Sequence, residues 1–299
     1  MSKLPFIISS MRLRTLPLSL AGVLTGIFLA AGNGPVSAIV IVFTLLTTVG
    51  LQILSNLSNE LGDFRSGLDR DGRQGPCYSL QVGGLTVREF RITIAVTAAF
   101  CCVCGLLMIG FSYSWQVGWQ PAVLLLLGAS AIWAAMRYTL GKNPYGYRGL
   151  GDLFVFLFFG LVSVMGGYFV IRHTLTPWLL MPASAVGLFS VGVLNVNNIR
   201  DMESDEGIRR TVPLRIGERK AKIYQTVLIT GGCLLFFGYL LCQPATPWQW
   251  LSLVTLPLYA LHLAGVWKRS GKSLDPMLPL LVITTFLLSL LAGFPIALQ

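Results

Sequence analysis

Nine apolar runs, each about 20 residues long and bounded by polar or glycine-rich segments, organise the chain. They lie near 16–32, 36–55, 92–112, 120–140, 151–171, 178–197, 223–242, 248–267 and 277–297. Runs of this length cross a bilayer as helices, because backbone polar groups in lipid must be satisfied within the segment. The pattern therefore predicts an all-α integral membrane protein of about nine transmembrane helices, with residues 1–299 as a single transmembrane domain. The division between the first two runs rests on Gly32, Gly34 and Pro35.

The polar positions between the runs are distributed unevenly. With the N-terminus placed in the cytoplasm, the inner segments are 1–15, 56–91, 141–150, 198–222 and 268–276, and they hold 20 of the 22 Lys and Arg residues. Lysine and arginine favour cytoplasmic loops, which supports a multi-pass protein of the cytoplasmic (inner) membrane with its N-terminus inside. All twelve Asp and Glu lie on the same side, whereas outer segments such as 113–120 and 243–249 carry no charge. The positive-inside rule does not require that acidic bias, and it points to chemistry at the inner face.

Composition agrees with this layout. Hydrophobic residues make up 54% and charged residues 11%, against about 25% charge in a soluble domain, and mean hydropathy is +0.72. The net charge of +10 follows from topology and suits contact with anionic membrane lipid; no nucleic-acid partner is implied. Residues 1–15 lead into a retained span rather than a cleaved signal. Five of the six cysteines lie in apolar runs, Cys77 lies in an inner loop, and no CxxC pair stands out, so they read as small packing residues. His173 and His262 stand alone.

Two inner segments resemble one another. In 195–217, Asn198, Asp201 and Asp205 are spaced i, i+3, i+7; in 56–69, Asn56, Asn59 and Asp63 have the same spacing. If each segment continues as a helix, its three side chains share one face. Amide and carboxylate oxygens stacked in this way suit Mg²⁺ or Ca²⁺ rather than zinc. A glycine follows each last Asp (Gly67 and Gly207), with arginines close by. The alternative is a pair of solvated, capped helix ends. Because the second copy stands four spans after the first, spans one to four and five to eight read as two parallel four-helix units with a ninth helix added. Their acidic ends would then face each other across a central cavity.

Other inner positions carry two readings each. Arg14 is either an interfacial anchor or a contact for an anion. Asp152 is either a helix-start acid stabilised by the helix dipole or a functional acid at the membrane edge. The Phe- and Gly-rich run 153–169 either packs against neighbouring helices or lines an isoprenoid channel. Two acidic clusters with surrounding Arg and Lys fit a diphosphate ester bridged by Mg²⁺, its apolar tail lying between the spans.

Five stretches, RLRTLPLS (12–19), NLSNELGDFRSGLD (56–69), YTLGKNPYGYRGLGD (138–152), FFGLVSVMGGYF (158–169) and NNIRDMESDEGIRRT (197–211), together resemble the UbiA superfamily of intramembrane aromatic prenyltransferases, and its naphthoate-prenylating branch most. The resemblance implies a nine-helix bundle around a cavity capped by inner loops, and transfer of an all-trans polyprenyl group from polyprenyl diphosphate to an aromatic acid with loss of diphosphate and CO₂. It implies Mg²⁺, with Mn²⁺ as the alternative, held by Asn59, Asp63, Asp201 and Asp205 with Asn198 nearby. Asp63, Asp201 and Asp205 are the catalytic candidates. Arg14, Arg73 and Lys142 are diphosphate contacts and Tyr138 a cavity residue, with Asn56, Asp152 and Arg209 completing the substrate-binding set. Members of that superfamily usually carry Asp at the position of Glu60, which is therefore left out of the metal shell. Two alternatives remain: another acceptor such as 4-hydroxybenzoate, and, in a different class, a secondary transporter with duplicated halves. Oligomeric state and prenyl chain length stay open.

Overall fold

The computed structural model describes residues 3–67, 79–243 and 246–297. Among these residues no strand occurs, and nine helical segments are long and apolar enough to cross a membrane. In chain order they are α1 Leu4–Ala31, α2 Ala38–Ser66, α3 Val87–Ser112, α4 Trp119–Arg137, α5 Gly151–Arg172, α6 Pro177–Arg200, α7 Glu218–Cys242, α8 Pro247–Lys268 and α9 Gly271–Ile296.

Several boundaries move from the sequence reading, each for a local reason. α1 starts at Leu4 and is interrupted: its first helix ends at Ser10, and Arg12 takes a left-handed conformation (φ 48°, ψ 53°) before the helix resumes at Leu16 with Pro17 in its first turn. Proline fits there because the first turn needs no backbone donor. α2 does not stop near residue 55. It runs through the first acidic motif to Ser66 and closes on Gly67 at φ 78°, a left-handed cap that glycine adopts without a Cβ penalty. α3 starts five residues early because Thr86 and Glu89 form a capping box.

Close seams hold the helices. On α1, Gly22 and Gly26 lie one turn apart against α5. A Cβ on Gly22 would stand 2.7 Å from the Phe159 carbonyl oxygen, and one on Gly26 would collide with that of Val164. Gly160 on α5 likewise meets Gly187 and the Ala183 carbonyl on α6. Small residues spaced this way let backbones approach in lipid, where no hydrophobic force gathers the helices. The middle of α5, Phe156–Val162, widens into a π-helix, a distortion often found beside functional sites.

The two halves differ in filling. Phe189, Ile229, Phe236, Tyr259, Leu281 and Leu288 form a solid core between α6, α7, α8 and α9. α6 is the central span, with 67% of its apolar window buried, whereas only 22% is buried in α3 and in α4, which face outward. The space left open lies between α1, α2, α4 and α5. Trp115, Trp119, Trp178 and Trp248 are exposed at the end of the bundle opposite the acidic motifs, where aromatic rings mark a membrane interface.

Candidate active site

The first acidic motif rides on the unbroken end of α2. Asn56 and Asp63 are buried, at 4% and 2% exposure, and Asn59 is half-buried. Asn56 Nδ2 donates to the Met11 carbonyl at 2.8 Å and to Thr15 Oγ1 at 3.0 Å, and its Oδ1 accepts from Gln52 at 3.1 Å. Asn56 thus fastens the break in α1 to α2. Asn59 Oδ1 accepts from Thr139 at 3.3 Å. Gly62 allows the end of α4 to press against α2, since a Cβ there would meet the Thr139 carbonyl at 2.7 Å. Glu60 is fully buried and its Oε1 accepts from the Leu80 amide at 3.0 Å.

The second motif differs in backbone. α6 ends at Arg200, Asp201 leaves the helix (φ −94°, ψ 10°), and a short turn follows over Met202–Asp205. The expectation of one continuous helix is corrected at that residue. The shared face survives nonetheless, because the Asp205 amide donates to the Asp201 carbonyl at 2.9 Å, the spacing of an α-turn. Asn198, Asp201 and Asp205 are all buried. Arg200 Nε and Nη2 grip the two oxygens of Asp201 at 2.7 Å each, and Asn197 Nδ2 donates to Asp201 Oδ2 at 3.3 Å.

Arg209 joins the two motifs. After Gly207 (φ 80°) the chain turns back, and Arg209 pairs with Asp63, 146 residues away. Its Nε stands 3.9 Å from Asp205 Oδ1, so one guanidinium lies between a carboxylate of each motif. Tyr147 supports it from below: the guanidinium is 4.7 Å from the ring centroid, and the Tyr147 hydroxyl donates to Asp63 Oδ1 at 3.1 Å. Burial disfavours the charge on Arg209, yet Asp63 and Asp205 outweigh it and raise its pKa above the ordinary arginine value. Burial also pushes the Tyr147 phenol up, reinforced by Asp63 and opposed by Arg209.

Tyr138 closes the end of α4. Burial pushes its phenol up to about 12; Arg209 lowers it, while Asp152, Asp63 and Asp205 raise it. Asp152 itself accepts from the Tyr224 hydroxyl of α7 at 3.1 Å. Arg14, in the break of α1, and Lys142, in the turn after α4, are exposed. Arg73 lies outside the described residues.

Below this cluster opens a cavity of about 310 Å³, within the size range of small-molecule sites. Asn56, Asn59 and Tyr138 line one end, Thr44, Met108 and Leu124 the other, and Phe154, Phe158 and Phe159 of α5 form part of the wall. Along α2, Asn59 to Thr44 spans roughly 22 Å of helix. The phenylalanines of α5 therefore line this cavity as well as packing.

Sequence reading singled out neither Tyr147, Arg200 nor Asp275. Tyr147 was legible only as one of two tyrosines in a glycine-rich loop. Arg200 was legible as charge beside Asp201, but not as its clamp.

The sequence profile of the UbiA prenyltransferase family matches residues 19–290. The chain belongs to this family. As a UbiA family member it is a multi-pass membrane prenyltransferase. It is 38% identical over 288 residues to the 1,4-dihydroxy-2-naphthoate octaprenyltransferase of Escherichia coli, covering 95% of this chain and 92% of that one. Among solved structures, a UbiA homologue from Aeropyrum pernix K1 superposes with a TM-score of 0.72 at 18% identity, over 98% of this chain and 99% of that one. A UbiA homologue from Archaeoglobus fulgidus, bound to DMAPP and Mg²⁺, gives 0.61 at 18% identity, over 95% and 98%.

Proposed function

We propose that this UbiA family member transfers an all-trans polyprenyl group from polyprenyl diphosphate to 1,4-dihydroxy-2-naphthoate, acting as one transmembrane unit at the cytoplasmic face of an inner membrane. The observation that carries the reading is the joining of two equally spaced acidic motifs through Arg209, at the mouth of a cavity walled by α5 aromatics. The acceptor follows from the E. coli relative, whose name specifies that acid. The N-terminus and the charged loops face the cytoplasm, because 20 of 22 Lys and Arg lie there.

The donor set fits Mg²⁺. Asn59, Asp63, Asn198, Asp201 and Asp205 present hard oxygens. No three His, Cys, Asp or Glu side chains among the described residues converge into a ready-made cage. Mg²⁺ typically keeps few protein carboxylates and completes its shell with substrate phosphate oxygens, so the arrangement suits an ion shared with diphosphate. The A. fulgidus homologue bound to DMAPP and Mg²⁺ is consistent with this; Mn²⁺ has the same donor preference. Bound Mg²⁺ supplies charge that stabilises the departing diphosphate.

The chain's own groups supply the rest. Arg209 adds a cation beside the leaving group, with Arg14, Arg73 and Lys142 as further diphosphate contacts from the inner loops. The C–O bond of the allylic diphosphate breaks and its electron pair leaves with diphosphate. A ring carbon of the naphthoate then forms the new C–C bond, and the carboxylate leaves as CO₂. Phe154, Phe158 and Phe159 keep water from the allylic cation, and their ring faces are attractive to positive charge. Tyr138, held as a neutral phenol, offers a hydrogen-bond donor at the cavity end.

The test is a membrane assay with a polyprenyl diphosphate and either 1,4-dihydroxy-2-naphthoate or 4-hydroxybenzoate, with and without Mg²⁺. Metal-dependent prenylation of the naphthoate, with CO₂ released, is expected. Product from 4-hydroxybenzoate alone would keep the chemistry and overturn the acceptor. Absence of any prenylated product, in membranes shown to contain folded protein, would overturn the reading.

A further inference from the structure

Arg200 holds Asp201 with a fork of two 2.7 Å hydrogen bonds, which by itself cancels that carboxylate's charge. Its remaining nitrogen, Nη1, donates at 2.8 Å to Asp275, at the start of α9 and 75 residues away. Nη2 also reaches Asn197 Oδ1 at 2.9 Å. The Arg200 side chain is 4% exposed and that of Asp201 7%, while Asp275 is 41% exposed. One buried cation is therefore shared between two carboxylates, and the triad carries a net charge of −1.

We propose that Asp275 is a positioning residue for the second acidic motif: by sharing Arg200, it leaves Asp201 with enough negative charge to bind a divalent cation on the oxygen faces that Arg200 does not use. This rests on the reading of Asp201 as a metal ligand. Without Asp275, Arg200 and Asp201 form a neutral pair, and the carboxylate becomes a poor partner for Mg²⁺. Groups that orient and charge-tune a metal ligand from outside commonly change metal affinity by 10- to 100-fold.

The experiment uses the full chain in detergent, with inorganic diphosphate present and neither prenyl donor nor acceptor. Mg²⁺ is titrated and the rise in Tm is followed by tryptophan fluorescence. Asp275→Asn keeps an oxygen acceptor for Arg200 but removes the charge, so its half-saturating Mg²⁺ is expected to rise about tenfold. Its metal-free Tm should stay near that of the parent, and Asp275→Glu should restore most of the affinity. An unchanged half-saturation in Asp275→Asn with a lowered metal-free Tm would make Asp275 a mere anchor of α9 and overturn the proposal. Asp201→Asn is the control: if it titrates like the parent, the metal reading beneath the proposal falls; if it loses the Mg²⁺ response while Asp275→Asn does not, only the role of Asp275 falls.

Discussion

The two acidic motifs share one spacing and rest on different backbones. Asn56, Asn59 and Asp63 stand on an uninterrupted helix that ends three residues later at Ser66. Asn198, Asp201 and Asp205 straddle a helix end, and a hydrogen bond from the Asp205 amide to the Asp201 carbonyl carries the turn across. Their charge balance differs too. Asp201 has its own cation next to it in the chain, whereas Asp63 borrows Arg209 from the opposite motif. The first motif is rigid and takes a cation from the second. The second shares its own Arg200 with Asp275 of α9 and rests on a turn. Equal spacing in a sequence therefore does not imply equal roles.

The largest expected effect tests whether both motifs are needed at all. Asp63→Ala and Asp201→Ala should each lower turnover by about 10²–10³-fold, the usual cost of removing a group that stabilises transition-state charge; product formation in isolated membranes measures it. Full activity in either variant would break the pairing. Arg209→Gln comes next. It leaves Asp63 buried without its guanidinium, and kcat/KM for the prenyl diphosphate should fall about 10- to 100-fold, the worth of a charge-assisted bond of 1.5–3 kcal/mol. Steady-state kinetics at saturating acceptor would show it, and a loss confined to the acceptor KM would move Arg209 to the wrong substrate.

The turns that close each motif are a smaller contrast. Gly67 and Gly207 both have φ near 80°, so alanine at either should cost about 1 kcal/mol of stability. Gly207→Ala should also reduce activity, because the turn it makes carries Arg209, while Gly67→Ala should affect Tm alone. Comparing Tm with kcat for the pair separates the two. Smallest is a pH effect at Tyr138. Its folded pKa of about 12 stands above the ordinary 10.0. A raised phenol pKa gives stability that is fully present below pH 10 and is lost as pH rises through 12. By pH 10 the loss should be about 0.4 kcal/mol, and Tyr138→Phe should flatten that part of the Tm–pH profile.

Much of this was legible beforehand because the bilayer makes hydrophobic length decisive. All nine spans have a counterpart in the apolar runs, and the acidic ends of α2 and α6 were visible as repeated spacing. At α2, by contrast, polarity ends the apolar run near residue 55 but not the helix, which runs on to Ser66. Asn56, Asn59 and Asp63 are polar yet helical, since their partners in α1, α4 and the 209 turn are distant in sequence. The same limit hid Tyr147 and Asp275, which matter only through what the fold lays against them. The break at Asp201 left no mark either, as no glycine or proline announces it.

Gly128 on α4 and Gly166 on α5 both line the cavity, and a Cβ added to either would touch nothing within 4 Å. Elsewhere, at Gly26 or Gly160, a methyl group would drive two backbones apart. These two positions are the reverse: new bulk there points into the cavity and leaves the walls standing. They give a protein engineer a way to shorten the room from within, one side chain at a time, and to alter which donor tails are admitted while the bundle keeps its fold.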